Sequence, residues 1–355
     1  MNPRRPPFRR LDVLSPRARR RGAVHLAAVG VVSLLLAGCA VEPPAPAPDA
    51  PVIAAVVSEG QERDILDAVA ASIAQHDKVS TADGLQARMT GHALSMRKAE
   101  LRLAEATGDE KRWRTDLSMR TQQLILPSDQ SWPRTSYAVQ AQPDNTDTPA
   151  LMVFDQASAR EQYKLWGYVS LVPGASLPPF AQPELGSAAV APDDDTSLVR
   201  SPQDALAGYA EVLSKDADAK SAGAFDDDRL RQNLRTLATS QTSVTDWAET
   251  KGKYSYTAEV EPSQGLRAMR TADGGALVLG ALTGTQAIEV GQEGAKIKTD
   301  TLPSAQQALF GDQEETNRLR TRYRDFVALY VPSAGSAHKI TLVGFRHIPI
   351  DVSGE

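Results

Sequence analysis

One serine–lysine pair has the spacing that nucleophilic catalysis uses. Ser95 and Lys98 form a Ser-x-x-Lys pattern. On a helix, Lys98 would lie one turn after Ser95, where an amine can take the hydroxyl proton during acyl transfer. No Lys-Thr-Gly segment follows, and no Ser-x-Asn partner is convincing. We therefore interpret the pair as two polar residues on an exposed helix face.

Other patterns for catalysis or metal binding are missing from the sequence. It has no Gly-x-Ser-x-Gly elbow, no His-Glu-x-x-His pair and no phosphate-binding loop. The histidines beyond the first 38 residues are not spaced as zinc ligands on a helix; they are His76, His92, His338 and His347. His338 and His347 bracket one predicted strand, so we expect them at the surface or at strand ends. We predict no catalytic residue, no metal and no cofactor.

The single thiol of the chain, Cys39, follows a segment that is typical of protein export. Residues 1–22 contain eight arginines and one acid, and residues 23–37 are nearly all apolar. A basic region, a short apolar region and small residues at its end make a secretory signal. The apolar region is short for a membrane span, which needs about 20 residues. The sequence predicts a signal peptide over residues 1–38.

The end of this signal, Leu36-Ala37-Gly38-Cys39, resembles the bacterial lipobox. The resemblance implies cleavage between Gly38 and Cys39 and a diacylglyceryl group on the cysteine sulfur. It also implies at least two acyl chains, which hold a protein stably at a membrane. We therefore expect a lipoprotein at the outer face of the cell membrane. The alternative is an ordinary signal or anchor helix with an incidental cysteine, and the export route, Sec or twin-arginine, stays open.

The charge of the mature chain would not attract it to a membrane, so we expect the lipid to provide the anchor. The full chain has 39 basic and 44 acidic residues, and removal of the signal would leave a net charge of −12. Such a chain is repelled by an anionic membrane, and it lacks the basic excess that nucleic-acid binding needs. Residues 39–60 contain five prolines near their start and predict an extended tether.

The rest of the chain repeats one order of elements. In residues 61–173, two helical patterns precede about four alternating strands, and residues 202–355 repeat helix, helix and strands. Residues 174–201 hold prolines, the acidic triplet 193–195 and no periodicity, so we interpret them as a solvated linker. The triplet matches no calcium-binding loop.

This order predicts an α+β fold made of two tandem helix–helix–antiparallel-sheet halves. The halves resemble cystatin-like or nuclear-transport-factor-two-like cones, and the alternative is one larger α+β domain. Such cones can enclose a pocket. The aromatic residues that could line one lie on predicted strands: Trp166, Tyr168, Tyr254 and Tyr256. Packing in the core is the alternative for all four.

Several segments, among them TGHALSMRKAEL, SWPRTSYAV and SPQDALAGYAEVL, resemble an uncharacterised family of actinobacterial lipoproteins. The resemblance covers most of residues 60–350 and implies no activity. We expect a non-enzymatic module that binds a small ligand or an envelope protein. The alternative is an envelope enzyme whose site has no linear motif. A His–Asp contact in a cavity would favour that alternative.

Overall fold

The computed structural model describes residues 54–77, 82–143, 148–242, 247–261, 265–312 and 314–354. The predicted signal peptide, the predicted lipidation site Cys39 and most of the predicted tether lie outside the described residues. Among the described residues, no helix has both the length and the apolar character needed to cross a membrane.

The first half of the described chain begins with helices and continues with four strands. Leu66, Val69 and Ile73 form a buried stripe on the first helix, as their spacing predicts. The second helix ends where Gly108 takes a left-handed conformation. The elements are α1 (Glu59–Asp77), α2 (Gly91–Thr107), α3 (Glu110–Trp113), β1 (Thr121–Ile125), β2 (Arg134–Gln140), β3 (Ala150–Gln156) and β4 (Lys164–Leu171).

The second half of the described chain also begins with helices and continues with strands, with one further short helix among them. Its first helix begins as the sequence predicts, because the Ser201 side chain accepts a hydrogen bond from the Asp204 backbone and Pro202 stands in the first turn. The elements are α4 (Pro202–Lys215), α5 (Arg229–Thr242), β5 (Lys253–Val260), β6 (Arg267–Arg270), β7 (Ala276–Glu289), β8 (Ile297–Lys298), α6 (Ser304–Phe310), β9 (Glu315–Thr316), β10 (Arg318–Val331) and β11 (Thr341–Gly354).

Nine strands form one antiparallel sheet in the order β1-β2-β3-β4-β11-β10-β7-β5, with β6 also paired to β7. The strands of the two predicted halves meet where β4 pairs with β11, through Leu171 opposite Gly344 and Ser170 opposite Phe345. The α+β class with a large antiparallel sheet is confirmed. Because the sheet is continuous, the division into tandem halves stays a prediction, as does the cone fold.

The predicted linker, residues 174–201, contacts both sets of strands. The Ser187 backbone donates to Leu126 O at 2.8 Å, and the Val190 backbone donates to Ala268 O at 2.9 Å. These bonds join the segment to both ends of the strand order, beside β1 at one end and at β6 at the other. Our interpretation of the segment as a solvated linker is corrected here, since part of its backbone is hydrogen-bonded to the strands. The physical reason is that extended backbone gains hydrogen bonds where it meets open strand ends.

The acidic triplet of this segment provides a structural ion pair. Asp194 Oδ2 accepts a hydrogen bond from Arg270 of β6 at 3.0 Å, and its Oδ1 accepts one from the Ser197 backbone at 3.0 Å. Hydrogen bonds from Ser197, with a further one from Arg270, hold the pKa of Asp194 well below its usual range. The carboxylate therefore fastens the segment to the sheet.

Candidate functional site

A cavity of about 650 Å³ lies between α1, α2 and the chain that follows α3. Part of its wall is apolar and consists of Ala70, Ile73, Ala74, Leu117 and Met119. The charged side chains of the wall are Asp77, Arg97, Glu110, Lys111, Arg114 and Asp116. The cavity thus combines an apolar side with converging charges, as small-molecule sites commonly do.

A second cavity, of about 170 Å³, shares part of its wall with the first. The shared residues are Lys111, Arg114, Thr115 and Asp116. The second cavity adds Arg112 and, from the last strand, Arg346, so its charged lining is four cations and one acid. We call the two cavities together the cleft.

A buried ion-pair network fixes the wall of the cleft. Arg97 and Glu100 stand three residues apart on α2, so both side chains lie on one helix face. Arg97 Nη1 donates to Glu100 Oε2 at 2.9 Å and to Thr115 O at 2.9 Å, and Arg97 Nη2 contacts Asp77. Thr115 in turn donates its Oγ1 to Glu100 Oε1 at 2.5 Å. The chain after α3 is therefore held against α2.

The last strand of the sheet also reaches this network. Arg346 of β11 donates its Nη2 to Glu100 Oε1 at 2.9 Å and to Trp113 O at 3.2 Å. Tyr168 of β4 lies buried beside the same carboxylate. Burial, with the charge of Glu100, raises the pKa of the Tyr168 hydroxyl well above its usual value, so the group stays neutral.

Three polar atoms of the cleft lack a partner among the described residues. They are Asp77 Oδ1, Arg97 Nε and Arg346 Nε, each of which is buried. Buried polar atoms in proteins are normally satisfied by protein or by ordered water. A ligand or water group that reached these atoms would therefore gain hydrogen bonds.

The sequence profile of a family described as "Domain of unknown function (DUF8094)" matches residues 53–348. The chain belongs to this family. This confirms the expectation of an uncharacterised family, whereas the lipoprotein and actinobacterial parts of that expectation stay predictions. No curated protein and no solved structure matches the chain. The match includes every residue that lines the cleft.

Two of the four aromatics singled out from the sequence lie in the core of the DUF8094 domain. Trp166 is 3% exposed and packs edge-on against His92 and Phe326, with ring centroids 4.9 and 5.5 Å away. Arg267 of β6 stacks over the same indole at 4.5 Å. Trp166 and Tyr168 line none of the cavities described here.

The other two aromatics, Tyr254 and Tyr256, line a third cavity of about 470 Å³ between α4, α5 and β5. The Tyr256 hydroxyl donates to Oδ2 of the fully buried Asp325 at 2.7 Å. Gly284 makes room for this contact, because a Cβ there would lie 2.1 Å from the Tyr256 hydroxyl. The tyrosine therefore joins the cavity wall to a buried carboxylate.

His347 contacts the carboxylate of Asp325, and this contact was not predicted from the sequence. Its Nδ1 is hydrogen-bonded to Asp325 Oδ1, and its ring stacks on Tyr323 with centroids 4.2 Å apart. His347 was expected at a surface or strand end, but it lies within β11, directly opposite Asp325 of β10. Only the register of the two strands could have indicated this pair. Neither residue lines the three cavities described above.

The serine–lysine pair has no catalytic geometry in the DUF8094 domain. Ser95 is half-buried and Lys98 is exposed on α2. Among the described residues, no hydrogen bond joins the two side chains. The buried residues of this turn are Met96 and Arg97, which belong to the core and to the cleft wall.

Proposed function

We propose that this DUF8094 protein is a binding protein of the cell envelope whose cleft takes a small ligand. The observation that carries the proposal is the cavity of about 650 Å³, a size typical of small-molecule sites, with an apolar side and converging charges. The rigid network around Glu100 supports it, because preformed walls reduce the cost of ordering on binding.

We propose further that Cys39 carries the lipid anchor and that residues 39–60 hold the domain off the outer face of the membrane. The lipobox pattern and the net charge of −12 after signal removal support this. Exchange of Cys39 for serine should release the protein from membranes or leave its signal uncut. Normal processing with unchanged membrane retention in Cys39→Ser would contradict the anchor.

We also propose that the domain arose as two tandem cone-like halves. The repeated order of helices followed by antiparallel strands supports this, as does the short pairing of β4 with β11. In this arrangement the second half supplies Arg346 to a cleft whose other described walls belong to the first half.

The test of the binding function is mass spectrometry of small molecules that co-purify with the full chain from membranes. A matched variant, Ala74→Trp, fills the larger cavity from α1. A compound that is enriched with the natural chain and lost from Ala74→Trp would support the proposal. If the same compounds are retained by the variant, the cleft is not the binding site.

The Asp325–His347 contact is the observation behind a second candidate function, an envelope enzyme, although the pair lines none of the three cavities described above. Asp325 would orient the imidazole of His347, which would take or give the proton, as in known His–Asp pairs. The test is hydrolysis of a panel of chromogenic esters and phosphoesters by the full chain. Turnover that is lost in His347→Gln would establish this alternative, and equal rates in both would exclude it for these substrates.

A further inference from the structure

The lining of the cleft indicates the chemistry of its ligand. We propose that the cleft binds an amphipathic anion: a carboxylate or phosphate group at the cationic shared wall, and an apolar body against α1. This inference rests on the proposed binding function and names the ligand class for that site.

One end of the cleft has an excess of cationic side chains. In the smaller cavity, four cationic side chains face one acid, Asp116. Lys111 lines both cavities and makes no ion pair within the described part of the chain. An anion at this wall would therefore meet the charge of Lys111, which is not paired with a carboxylate of the described residues.

Arg114 can turn to a ligand at little cost. Its Nη2 pairs with Glu110 at 3.0 Å, and the two side chains are 29% and 58% exposed. Ion pairs that solvent reaches contribute little to stability, so exchange of Glu110 for a ligand anion should lower the affinity by less than about tenfold. A guanidinium also matches the two oxygens of a carboxylate or phosphate better than an ammonium does.

Arg97 and Arg346 contribute to the shape of the cleft more than to its charge. Both are hydrogen-bonded to Glu100, and Arg97 also contacts Asp77. Their charges are largely matched by these acids, so they shape the wall and add little net attraction for an anion. The selective groups are Lys111 and Arg114 at the shared wall and Arg112 beyond it.

The apolar side requires a ligand that is more than a small ion. Ala70, Ile73 and Ala74 of α1 face the larger cavity together with Leu117 and Met119. The two alanines leave space that larger side chains would fill. Each buried methylene is worth about 0.8 kcal/mol, or about fourfold in affinity, so a short hydrocarbon chain would dominate binding.

The test compares probes of equal length and different charge. Octanoate, octyl phosphate, octanol and octylammonium are titrated against the full chain in nanodiscs of zwitterionic lipid, with empty nanodiscs and acetate as blanks. We expect octanoate or octyl phosphate to bind at least about tenfold more tightly than octanol, octylammonium and acetate, since a charged contact and several methylenes each give that factor. Whichever anion binds more tightly identifies the headgroup.

Charge reversal locates the site. The double variant Lys111→Glu with Arg114→Glu should weaken octanoate binding by at least about tenfold, whereas Arg63→Glu should leave it unchanged. Arg63 is 66% exposed on α1 and lies outside the lining of the cleft. Thermal unfolding of each variant checks its fold. If the double variant does not fold, raised salt on the natural chain replaces it and should weaken octanoate binding and leave octanol binding unchanged.

The results distinguish the proposed binding site from the proposed ligand class. If octanol or octylammonium binds as tightly as octanoate and Ala74→Trp abolishes that binding, the cleft is a binding site but its ligand is not an anion. If none of the eight-carbon probes binds to the natural chain above the blank, the amphipathic class is overturned, and co-purified ligands alone decide the proposed function. If octanoate binds equally to the natural chain and the charge-reversed variant, the site lies elsewhere.

Discussion

Arg346 Nη2 lies 2.9 Å from Glu100 Oε1, and 246 residues separate the two along the chain. The same carboxylate accepts hydrogen bonds from Arg97 Nη1 at 2.9 Å and from the Thr115 side chain at 2.5 Å. One buried carboxylate thus joins the second helix, the chain after α3 and the last strand. The cleft depends on this junction, because all three of its partners line the cleft.

Neutralisation of Glu100 should destabilise the fold strongly. Glu100→Gln keeps the shape of the side chain but leaves Arg97 and Arg346 without their shared counter-charge. Loss of one partner from a buried pair typically costs about 3–5 kcal/mol of unfolding free energy. Urea unfolding of the natural chain and the variant measures the difference.

Glu110→Gln is the matched control for this experiment. Its carboxylate pairs with Arg114 at 3.0 Å, but its side chain is 58% exposed. We expect a loss of at most about 1 kcal/mol. Equal effects of the two variants would show that the Glu100 network does not carry the stability assigned to it.

Local elements could be predicted from the sequence because their causes are local. The stripe of Leu66, Val69 and Ile73 predicts α1, and the side chain of Ser201 begins α4 as expected. The pairing of β4 with β11 could not be predicted, because nothing in either strand specifies a partner so distant in sequence. The Glu100–Arg346 contact, and with it the cleft, depends on that pairing.

The aromatic residues show a second limit of sequence patterns. In β4, Leu165 and Trp166 are neighbours along the chain and both are buried, and the register of β4 against β3 shifts at this point. Alternation identifies the two faces of a strand but not whether the second face is covered. Phe326 and His92 cover the face of Trp166, and they come from β10 and α2. The burial of Trp166 could therefore not be predicted from the sequence of β4 alone.

A methyl group at Gly167 should disturb the packing between β4 and β10. A Cβ at this position would lie 2.4 Å from two ring carbons of Phe326. Overpacking of this kind costs about 1–3 kcal/mol, so Gly167→Ala should lower the free energy of unfolding by that amount. Thermal or urea unfolding measures it.

A double-mutant cycle identifies the cause of that loss. Phe326→Leu removes ring atoms from the point of contact, so it should reduce the penalty of Gly167→Ala. The two changes should then be non-additive by about 0.5–3 kcal/mol. Strict additivity would mean that the alanine acts through some contact other than Phe326.

His92 should make the protein less stable in acid. Burial lowers the pKa of this imidazole to about 4, against a hydrogen bond to Gly265 O that raises it. Between pH 6.5 and 4 the unfolded chain therefore binds a proton that the folded chain does not, and stability falls as the pH falls. At about 1.4 kcal/mol per unit of pKa, the loss from pH 7 to 4 is about 3 kcal/mol.

His92→Phe keeps a ring beside Trp166 and removes the titration. Its stability relative to the natural chain should rise by about 3 kcal/mol as the pH falls from 7 to 4. The measurement is urea unfolding at several pH values, and the comparison cancels the other titrating groups. A difference that does not change with pH would mean that the folded protein protonates His92 as readily as the unfolded chain.

Glu62 should have the opposite pH dependence. Burial raises the pKa of this carboxyl to about 7, although Ser136 donates a hydrogen bond to it at 2.6 Å. Between pH 4.5 and 7 the folded chain holds a proton that the unfolded chain has lost, so stability falls as the pH rises through this range. Glu62→Gln can keep the hydrogen bond from Ser136 and cannot ionise. Its stability relative to the natural chain should rise by about 3 kcal/mol from pH 4.5 to 8.

Glu59→Gln is the control for Glu62 on the same turn of α1. The Glu59 side chain is 39% exposed and pairs with Arg63 at the surface, so its neutralisation should change stability by less than about 1 kcal/mol at each pH. Urea unfolding of the three proteins at pH 4.5, 6 and 8 gives the comparison. If Glu62→Gln followed the natural chain at all three pH values, Glu62 would be ionised in the folded protein, and a cation or water would have to reach its buried Oε2.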